Sequence, residues 1–248
     1  MSPAVIVAHR GLSALYPENT LPAIEQAIAI GAKAVEFDVQ LTADKVPVLF
    51  HDPAIARMTG KNGQIMECSW RQLQKYQVAY PVRIADRHAG APIVALAEIV
   101  DYFLQWPSVM PCIEIKVEST EYFGLKTCIN RITKIAEPLI DHAILLSFSA
   151  KAIELLHSMG LRRTGWVLGD YNRLYRTAAE ALQPWVLICA KEKLPVTAEG
   201  LWPGPWEWMV YQTEDPKLVT RLIRRGVRYI ETDNVKIIAE SLPQLFTE

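Results

Sequence analysis

Two acidic residues, Glu36 and Asp38, stand two positions apart in the alternating run Val35-Glu-Phe-Asp-Val39. Side chains at this spacing point to the same face of an extended strand, so the two carboxylates should lie side by side. An ordinary edge strand with its polar side in water would show the same pattern. This run lies between other strand candidates, however, and neighbouring carboxylates inside a fold repel each other unless a cation binds them. The pattern therefore predicts that Glu36 and Asp38 hold a cation.

A second run, residues 113–117, places Glu114 and Lys116 on one face and branched apolar side chains on the other. A structural pair of glutamate and lysine would give the same pattern. Taken alone, either run is weak evidence for a site.

Two histidines, His9 and His51, each follow directly after an apolar run. A single histidine is more often a structural residue than a catalytic one. In parallel α/β barrels, however, the reacting groups come from the C-terminal ends of strands and from the loops that follow. The positions of His9 and His51 therefore favour a catalytic role.

The turn at residues 42–45 brings one of these histidines close to the acids. It is too short for a parallel crossover, so the strands that flank it should form an antiparallel hairpin. If Leu41 pairs with Val46, the register places Glu36 opposite His51. We therefore expect His51 to lie beside the carboxylate pair.

The combined set of acids, imidazoles, Arg10 and Lys116 favours one kind of chemistry. Hard oxygen ligands with few nitrogens suit Mg²⁺ or Ca²⁺ better than zinc. A divalent ion beside an arginine and a lysine suits a phosphate group. Histidine has an unperturbed pKa of ~6.5, so two of them can act as general base and general acid. The residues alone predict metal-assisted cleavage of a phosphoester.

Short strand-like runs alternate with helical patterns, as in a parallel α/β sheet or barrel. The helical patterns include residues 21–30, 150–159 and 216–225. The strand candidates are residues 4–8, 35–39, 46–50, 113–117, 144–148, 165–168, 186–190, 208–211 and 229–230. Because a closed barrel has eight strands, the hairpin accounts for the extra one. The sequence predicts one domain over residues 1–248, with a less regular insertion at about 54–92.

The composition limits the classes of partner. The chain has 248 residues, 50% of them hydrophobic, which suits a real core and excludes intrinsic disorder. A formal net charge of −1 argues against nucleic acid or an acidic membrane surface as partner. No run approaches the ~18 apolar residues of a membrane span, and no secretory signal is recognisable. Four scattered cysteines favour reduced thiols. We therefore expect a cytoplasmic protein.

Several motifs resemble those of the glycerophosphodiester phosphodiesterases. Ala8-His-Arg-Gly11 followed by Pro17-Glu-Asn-Thr20 is similar to that family's opening block. The later blocks follow in the family's order and extend over nearly the whole chain. They are Glu36-Phe-Asp-Val-Gln-Leu-Thr42, Val46-Pro-Val-Leu-Phe-His-Asp-Pro53, Ile113-Glu-Ile-Lys116 and Leu146-Ser-Phe-Ser149.

The resemblance implies a TIM barrel of the phosphatidylinositol-phospholipase-C-like type, with a small insertion after the hairpin. It also implies hydrolysis of small-molecule glycerophosphodiesters to sn-glycerol 3-phosphate and an alcohol, with Mg²⁺ or Ca²⁺ as cofactor. The residue roles that it implies are an acid–base pair (His9, His51), metal ligands (Glu36, Asp38, Glu114) and phosphate-binding positions (Arg10, Lys116). It leaves open whether His51 also ligates the metal.

The resemblance weakens toward the C-terminus. The family often has Trp-Thr-x-Asn where this chain has Tyr211-Gln-Thr-Glu214, and the later block Thr232-Asp-Asn-Val235 also departs from the usual pattern. The tract Leu201-Trp-Pro-Gly-Pro-Trp-Glu-Trp-Met209 is interpreted as buried or semi-buried aromatics around a rigid loop, or as an aromatic wall of the substrate site. The second interpretation motivates an alternative, lysophospholipase D-like hydrolysis of lysophospholipids. A non-catalytic phosphodiester-binding barrel is a third possibility.

Overall fold

The computed structural model describes residues 4–79, 90–195 and 200–247. Strands and helices alternate along most of this length, as the sequence predicts. The strands are β1 Val5–His9, β2 Ala34–Leu41, β3 Pro47–Leu49, β4 Gln77–Val78, β5 Ala91–Pro92, β6 Met110–Ile115, β7 Ile144–Ser147, β8 Thr164–Val167, β9 Val186–Ala190, β10 Glu207–Tyr211 and β11 Tyr229–Thr232.

Eight of these strands are parallel and close into a barrel. Around the barrel they follow the order β1, β2, β6, β7, β8, β9, β10 and β11. Closure depends on β1, which pairs with β2 on one side (Val7 with Ala34) and with β11 on the other (Val7 with Glu231). The predicted TIM barrel is therefore confirmed.

Helices cover the outside of this barrel. They are α1 Leu21–Ile30, α2 Ala56–Thr59, α3 Trp70–Leu73, α4 Leu96–Phe103, α5 Val117–Phe123, α6 Leu125–Ala136, α7 Ala150–Ser158, α8 Arg173–Leu182, α9 Pro216–Arg224 and α10 Val235–Ser241. Over the described ranges, none of these helices has the length and apolar character needed to cross a membrane.

Residues at both ends of α1 explain where this helix begins and ends. The Thr20 hydroxyl accepts a hydrogen bond from the Ala23 N–H, and Pro22 lies in the first turn. Gly31 ends α1 in the left-handed region with φ 105°. The helix so placed keeps Ala23 and Ile24 packed against the barrel.

The interior of the barrel is apolar, but ionisable side chains line one side of its C-terminal mouth. Val7, Ala34, Cys112 and Tyr229 belong to one buried cluster inside the barrel. Because inward positions recur every second residue, the next inward side chain on each of these strands is His9, Glu36, Glu114 or Glu231. The C-terminal mouth of the barrel therefore collects ionisable groups from four different strands.

The hairpin of β2 and β3 is antiparallel, but its register differs from the prediction. Leu41 pairs with Pro47, so the predicted pairing of Leu41 with Val46 is wrong by one residue. Lys45 adopts a left-handed conformation with φ 60°, and the Thr42 N–H donates to the Val46 carbonyl at 3.0 Å. A turn that ends in a left-handed residue contains one more residue than a two-residue loop. The extra residue explains why the strand pairing is displaced by one position.

One further strand ends earlier than predicted. The strand expected over residues 113–117 ends at Ile115, because α5 begins at Val117. Lys116 therefore lies at the junction between β6 and α5, in the N-cap position of the helix but without a side-chain capping hydrogen bond.

The segment between β3 and α4 leaves the barrel and contains α2, α3, β4 and β5. It has its own apolar cluster, in which Ile55, Met58 and Leu73 pack beneath Val48 and Phe50. Part of the expected insertion over about 54–92, residues 80–89, lies outside the described residues. All four cysteines are free; Cys68 lies in this segment, and Cys112, Cys128 and Cys189 lie elsewhere and are buried.

Candidate active site

A cavity of about 370 Å³ opens at the C-terminal mouth of the barrel. Six of the residues singled out from the sequence line it together: His9, Arg10, Glu36, His51, Glu114 and Lys116. The seventh, Asp38, lies next to this lining and is paired with Arg10 and Lys116. The structure thus brings all seven predicted site residues to one place.

The first strand ends in a tight turn that aims His9 and Arg10 at the cavity. Arg10 adopts a left-handed conformation with φ 56°, and Gly11 follows with φ 82°. A Cβ on Gly11 would lie 2.5 Å from the Ala23 carbonyl carbon, so only glycine fits against α1. In this turn the Arg10 backbone N–H donates to Glu36 Oε2 at 3.2 Å.

Three carboxylates form the centre of the site. Glu36, Asp38 and Glu114 each offer an oxygen, and these oxygens lie within 4.8 Å of one another. Glu36 and Asp38 are only 2% and 1% exposed. Burial and the neighbouring carboxylates, Asp38 foremost, raise the pKa of Glu36 well above its usual range. A cation among the three would relieve this repulsion.

Two basic residues neutralise part of this charge. Arg10 Nε lies 3.1 Å from Asp38 Oδ2, and Lys116 Nζ lies 3.2 Å from Asp38 Oδ1. Lys116 also lies 2.8 Å from Glu114 Oε1. Burial alone would raise the pKa of Asp38, but Arg10 and Lys116 hold it well below its usual range. Asp38 is therefore the permanently charged member of the cluster.

Asn19 fixes the orientation of Asp38. Its side-chain amide donates to Asp38 Oδ2 at 2.8 Å, and its carbonyl oxygen accepts from the Asp38 backbone N–H at 3.0 Å. Asn19 reaches this position because it adopts a left-handed conformation with φ 58°, which asparagine tolerates better than most residues.

His51 reaches the cavity from the segment that follows β3. Gln40 holds this segment, since its amide donates at 2.8 Å to the backbone carbonyls of both His51 and Asp52. His51 Nδ1 lies 2.7 Å from Asp52 Oδ1. Burial lowers the pKa of His51, and the charge of Asp38 opposes that effect. His51 thus lies beside the carboxylates, although the register that led us to expect it is wrong.

His9 has a carboxylate partner that the sequence reasoning missed. Its Nδ1 lies 2.6 Å from Oδ1 of Asp233, which follows directly after β11. Ser13 donates to the same oxygen at 3.1 Å, and Gln212 donates to Oδ2 at 2.8 Å. The hydrogen bond from His9 lowers the pKa of Asp233 despite its burial, so Asp233 is a carboxylate that orients His9.

A second missed residue, Glu231, adds a fourth acid to the barrel mouth. It lines the cavity, is 4% exposed, and makes no side-chain hydrogen bond or ion pair with the residues that the structure describes. Burial raises the pKa of Glu231 to about 7; the neighbouring His9 lowers it and Glu114 raises it. The strand candidate at residues 229–230 ended one position too early to include it.

The opposite wall of the cavity is apolar. Leu146, Phe148, Val167 and Ile188 line it, and Phe148 remains 42% exposed at the rim. The wall therefore offers an uncharged surface next to the ionic cluster.

The tryptophan-rich tract lies elsewhere. Trp202 stacks on Tyr171 at 4.0 Å between ring centroids, while Trp206 and Trp208 are buried. Among the described residues, none of these three tryptophans lines the cavity. The interpretation of the tract as buried or semi-buried aromatics is confirmed for these side chains, since Trp202 is half-buried and the other two are buried.

The donor set fits a divalent metal ion. It consists of carboxylate oxygens, the ligands that Mg²⁺ and Ca²⁺ prefer. In the described ranges, no arginine or lysine side chain forms an ion pair with Glu36. Within those ranges the cluster does not include His51. The barrel mouth thus combines carboxylates that can bind a cation, an arginine and a lysine that can bind an anion, and two imidazoles that can transfer protons. This combination is typical of a phosphodiester hydrolase.

Comparison with known proteins agrees with this class. The sequence model described as the glycerophosphoryl diester phosphodiesterase family matches residues 9–237. The chain therefore belongs to that family, and the predictions of the family and of an enzyme of this class are confirmed.

Individual relatives extend over different shares of the chain. A glycerophosphodiester phosphodiesterase from Caldanaerobacter subterraneus subsp. tengcongensis is 27% identical over 240 residues, which cover 93% of this chain and 94% of that protein. A Mus musculus lysophospholipase D is 32% identical over 120 residues, 48% of this chain and 36% of that protein. A solved phosphodiesterase from Oleispira antarctica, in complex with the product sn-glycerol-3-phosphate, shares the fold with a TM-score of 0.80, at 20% identity and 97% coverage of both chains.

Proposed function

We propose that this enzyme hydrolyses glycerophosphodiesters to sn-glycerol 3-phosphate and an alcohol, with two histidines as acid and base. The observation that supports this most directly is the matched pair of imidazoles. His9 and His51 line the same cavity. In each, the Nδ1 atom is hydrogen-bonded to an aspartate, His9 to Asp233 at 2.6 Å and His51 to Asp52 at 2.7 Å. The Nε2 atoms are therefore left free of the aspartates. That of His9 lies 3.9 Å from Glu36 Oε2, beyond hydrogen-bond distance, so both can face the substrate.

The proton transfers follow from this pairing. The bond between phosphorus and the leaving alcohol oxygen breaks as an attacking oxygen, from water or from the adjacent glycerol hydroxyl, bonds to phosphorus. Attack by water gives sn-glycerol 3-phosphate directly. Attack by the glycerol hydroxyl gives a cyclic phosphate, which a water molecule then opens to sn-glycerol 3-phosphate. One imidazole takes the proton of the attacking hydroxyl, and the other supplies a proton to the leaving oxygen. Asp233 and Asp52 hold the two rings in the orientation that this exchange needs.

Charged residues around the histidines would bind the phosphate and a metal. Arg10 and Lys116 line the cavity as donors for phosphate oxygens. Glu36, Asp38 and Glu114 would hold a divalent cation, Mg²⁺ or Ca²⁺. When bound, such an ion supplies Lewis-acid polarisation of the phosphoryl group. Burial would lower the pKa of Lys116, but Asp38 and Glu114 raise it above its ordinary value, so Lys116 stays charged.

A substrate panel tests the proposal. The purified enzyme is incubated with glycerophosphocholine, glycerophosphoethanolamine or lysophosphatidylcholine, in EDTA and after addition of Mg²⁺ or Ca²⁺. We expect sn-glycerol 3-phosphate from the two glycerophosphodiesters, loss of turnover in EDTA, and no turnover in His9→Ala or His51→Ala variants that remain folded. Activity confined to lysophosphatidylcholine would identify a lysophospholipase D instead. Binding of glycerophosphocholine without hydrolysis would identify a non-catalytic barrel.

The lysophospholipase D alternative has less support in the molecule. Its motivation was an aromatic wall from the tryptophan tract, and the described tryptophans of that tract do not line the cavity. Among the described apolar residues that line it, Leu146, Val167 and Ile188 are buried and Phe148 is exposed. The cytoplasmic location expected from the sequence stays a prediction.

A further inference from the structure

The segment that follows β3 supplies an arginine that joins two parts of the active site. Arg57 lies on α2, whose neighbouring residues Ile55 and Met58 are buried in the apolar cluster of the segment. Its guanidinium group points back toward the barrel mouth and contacts Glu18 and Asp52. It does not itself line the cavity.

Arg57 makes paired hydrogen bonds with each of these carboxylates. Its Nη1 and Nη2 donate to Glu18 Oε2 and Oε1 at 3.1 and 2.7 Å. Its Nη2 also donates to Asp52 Oδ1 at 3.0 Å, and its Nε donates to Asp52 Oδ2. Only a planar guanidinium with its fork of donors can serve two carboxylates in this way.

Both carboxylates also hold a residue of the candidate site. Glu18 Oε1 accepts from Arg10 Nη1 at 2.9 Å, and Asp52 Oδ1 lies 2.7 Å from His51 Nδ1. Arg57 therefore stands between the arginine placed for phosphate and one of the two imidazoles. Each carboxylate is shared between a group in the cavity and Arg57 outside it.

The two links differ in how much they depend on Arg57. Arg10 has a second carboxylate partner, Asp38, at 3.1 Å, and keeps it without Arg57. Among the described residues, the Asp52 side chain has only His51 and Arg57 as partners. Loss of Arg57 should therefore leave Asp52, and through it the ring of His51, less firmly oriented. The orientation of Arg10 should change less.

We propose that Arg57 is a positioning residue for this reaction, which fixes His51 through Asp52. The inference rests on the proposed function, in which His51 exchanges a proton with the substrate. Arg57 is 42% exposed, and exposed ion pairs contribute little to stability, so its effect should fall on turnover rather than on folding.

The test compares Arg57→Ala with Arg71→Ala on glycerophosphocholine, in the presence of Mg²⁺ or Ca²⁺. Arg71 lies on α3 of the same segment, is exposed, and makes no side-chain hydrogen bond or ion pair with the described residues. We expect Arg57→Ala to lower kcat by about 10- to 100-fold, as misplaced catalytic groups do, and to change KM by less than about threefold. Arg71→Ala should match the wild type in both constants.

A double-mutant cycle separates positioning from a merely structural role. Asp52→Asn alone should lower kcat to a similar extent, and Arg57→Ala combined with Asp52→Asn should cost little more than either change. Additive losses, or a kcat of Arg57→Ala within about twofold of the wild type, would overturn the inference. Should Arg57→Ala fail to fold in thermal unfolding, Arg57→Lys takes its place with the same expectation. A wild-type enzyme inactive on the whole substrate panel would overturn the proposed function first, and this inference with it.

Discussion

Glu231 gives the sharpest test of the electrostatics of the barrel mouth. It is a buried acid without a partner among the described residues, and burial raises its pKa to about 7 from an ordinary value of 4.5. We predict that Glu231→Gln stabilises the metal-free enzyme at alkaline pH. The glutamine keeps the size of the side chain and removes the charge that the folded protein holds unfavourably.

The magnitude and its pH range follow from the two pKa values. Below about pH 4.5, Glu231 is protonated in both the folded and the unfolded chain and contributes nothing. Between pH 4.5 and 7 the unfolded chain ionises first, so the folded state loses stability as the pH rises. Above pH 7 the loss is complete. Since each pKa unit corresponds to about 1.4 kcal/mol, the stability lost above pH 7 amounts to roughly 3 kcal/mol.

Thermal unfolding in EDTA measures this effect. For a protein of this size, roughly 3 kcal/mol corresponds to a rise in Tm of about 6–12 °C for Glu231→Gln at pH 8. The gain should shrink to under about 1 kcal/mol at pH 5. The matched control is Glu154→Gln, on the exposed face of α7, which should leave Tm unchanged at both pH values. Equal Tm values for Glu231→Gln and the wild type at pH 8, or a gain that persists at pH 5, would refute the reasoning.

Three further predictions concern the metal, the first histidine and the first turn. Glu36→Gln removes one charge from the carboxylate cluster and should weaken Mg²⁺ or Ca²⁺ binding by about tenfold or more in calorimetry; an unchanged Kd would count against its role as a ligand. Asp233→Asn should lower kcat by about 10²-fold with little change in KM, because His9 loses the carboxylate that orients it; full activity would exclude that role. Gly11→Ala should lower the free energy of unfolding by at least about 2 kcal/mol in urea titration, because φ is 82° and the new Cβ would meet the Ala23 backbone at 2.5 Å. A variant as stable as the wild type would show that α1 can move away.

Residues that act from strand ends could be predicted from the sequence. His9, Glu36 and Glu114 were recognisable because a period of two fixes the inward face of each strand, and the C-terminal ends of barrel strands share one mouth. This reasoning uses only local patterns and general topology. It therefore needed no knowledge of which side chains meet.

Residues that act through partners were not recognisable in this way. Asp233 meets His9 across 224 positions, and Arg57 meets Glu18 across 39, so no local spacing connects them. Glu231 did carry a signal, because it follows Tyr229 by two positions and shares its inward face. The hairpin register failed for a related reason, since the left-handed conformation of Lys45 cannot be read from its residue type.

Under the proposed mechanism, the pairing of His9 with Asp233 also ties activity to the completion of the barrel. The two residues stand at the ends of the first and the last barrel strands, and the pairing of those strands closes the barrel. During synthesis from the N-terminus, His9 and the three clustered acids Glu36, Asp38 and Glu114 precede Asp233 by nearly half of the chain or more. The nascent polypeptide therefore bears nearly all its reactive groups long before it can orient the first histidine. Turnover by this mechanism therefore requires the last strand, and would report that the barrel has closed.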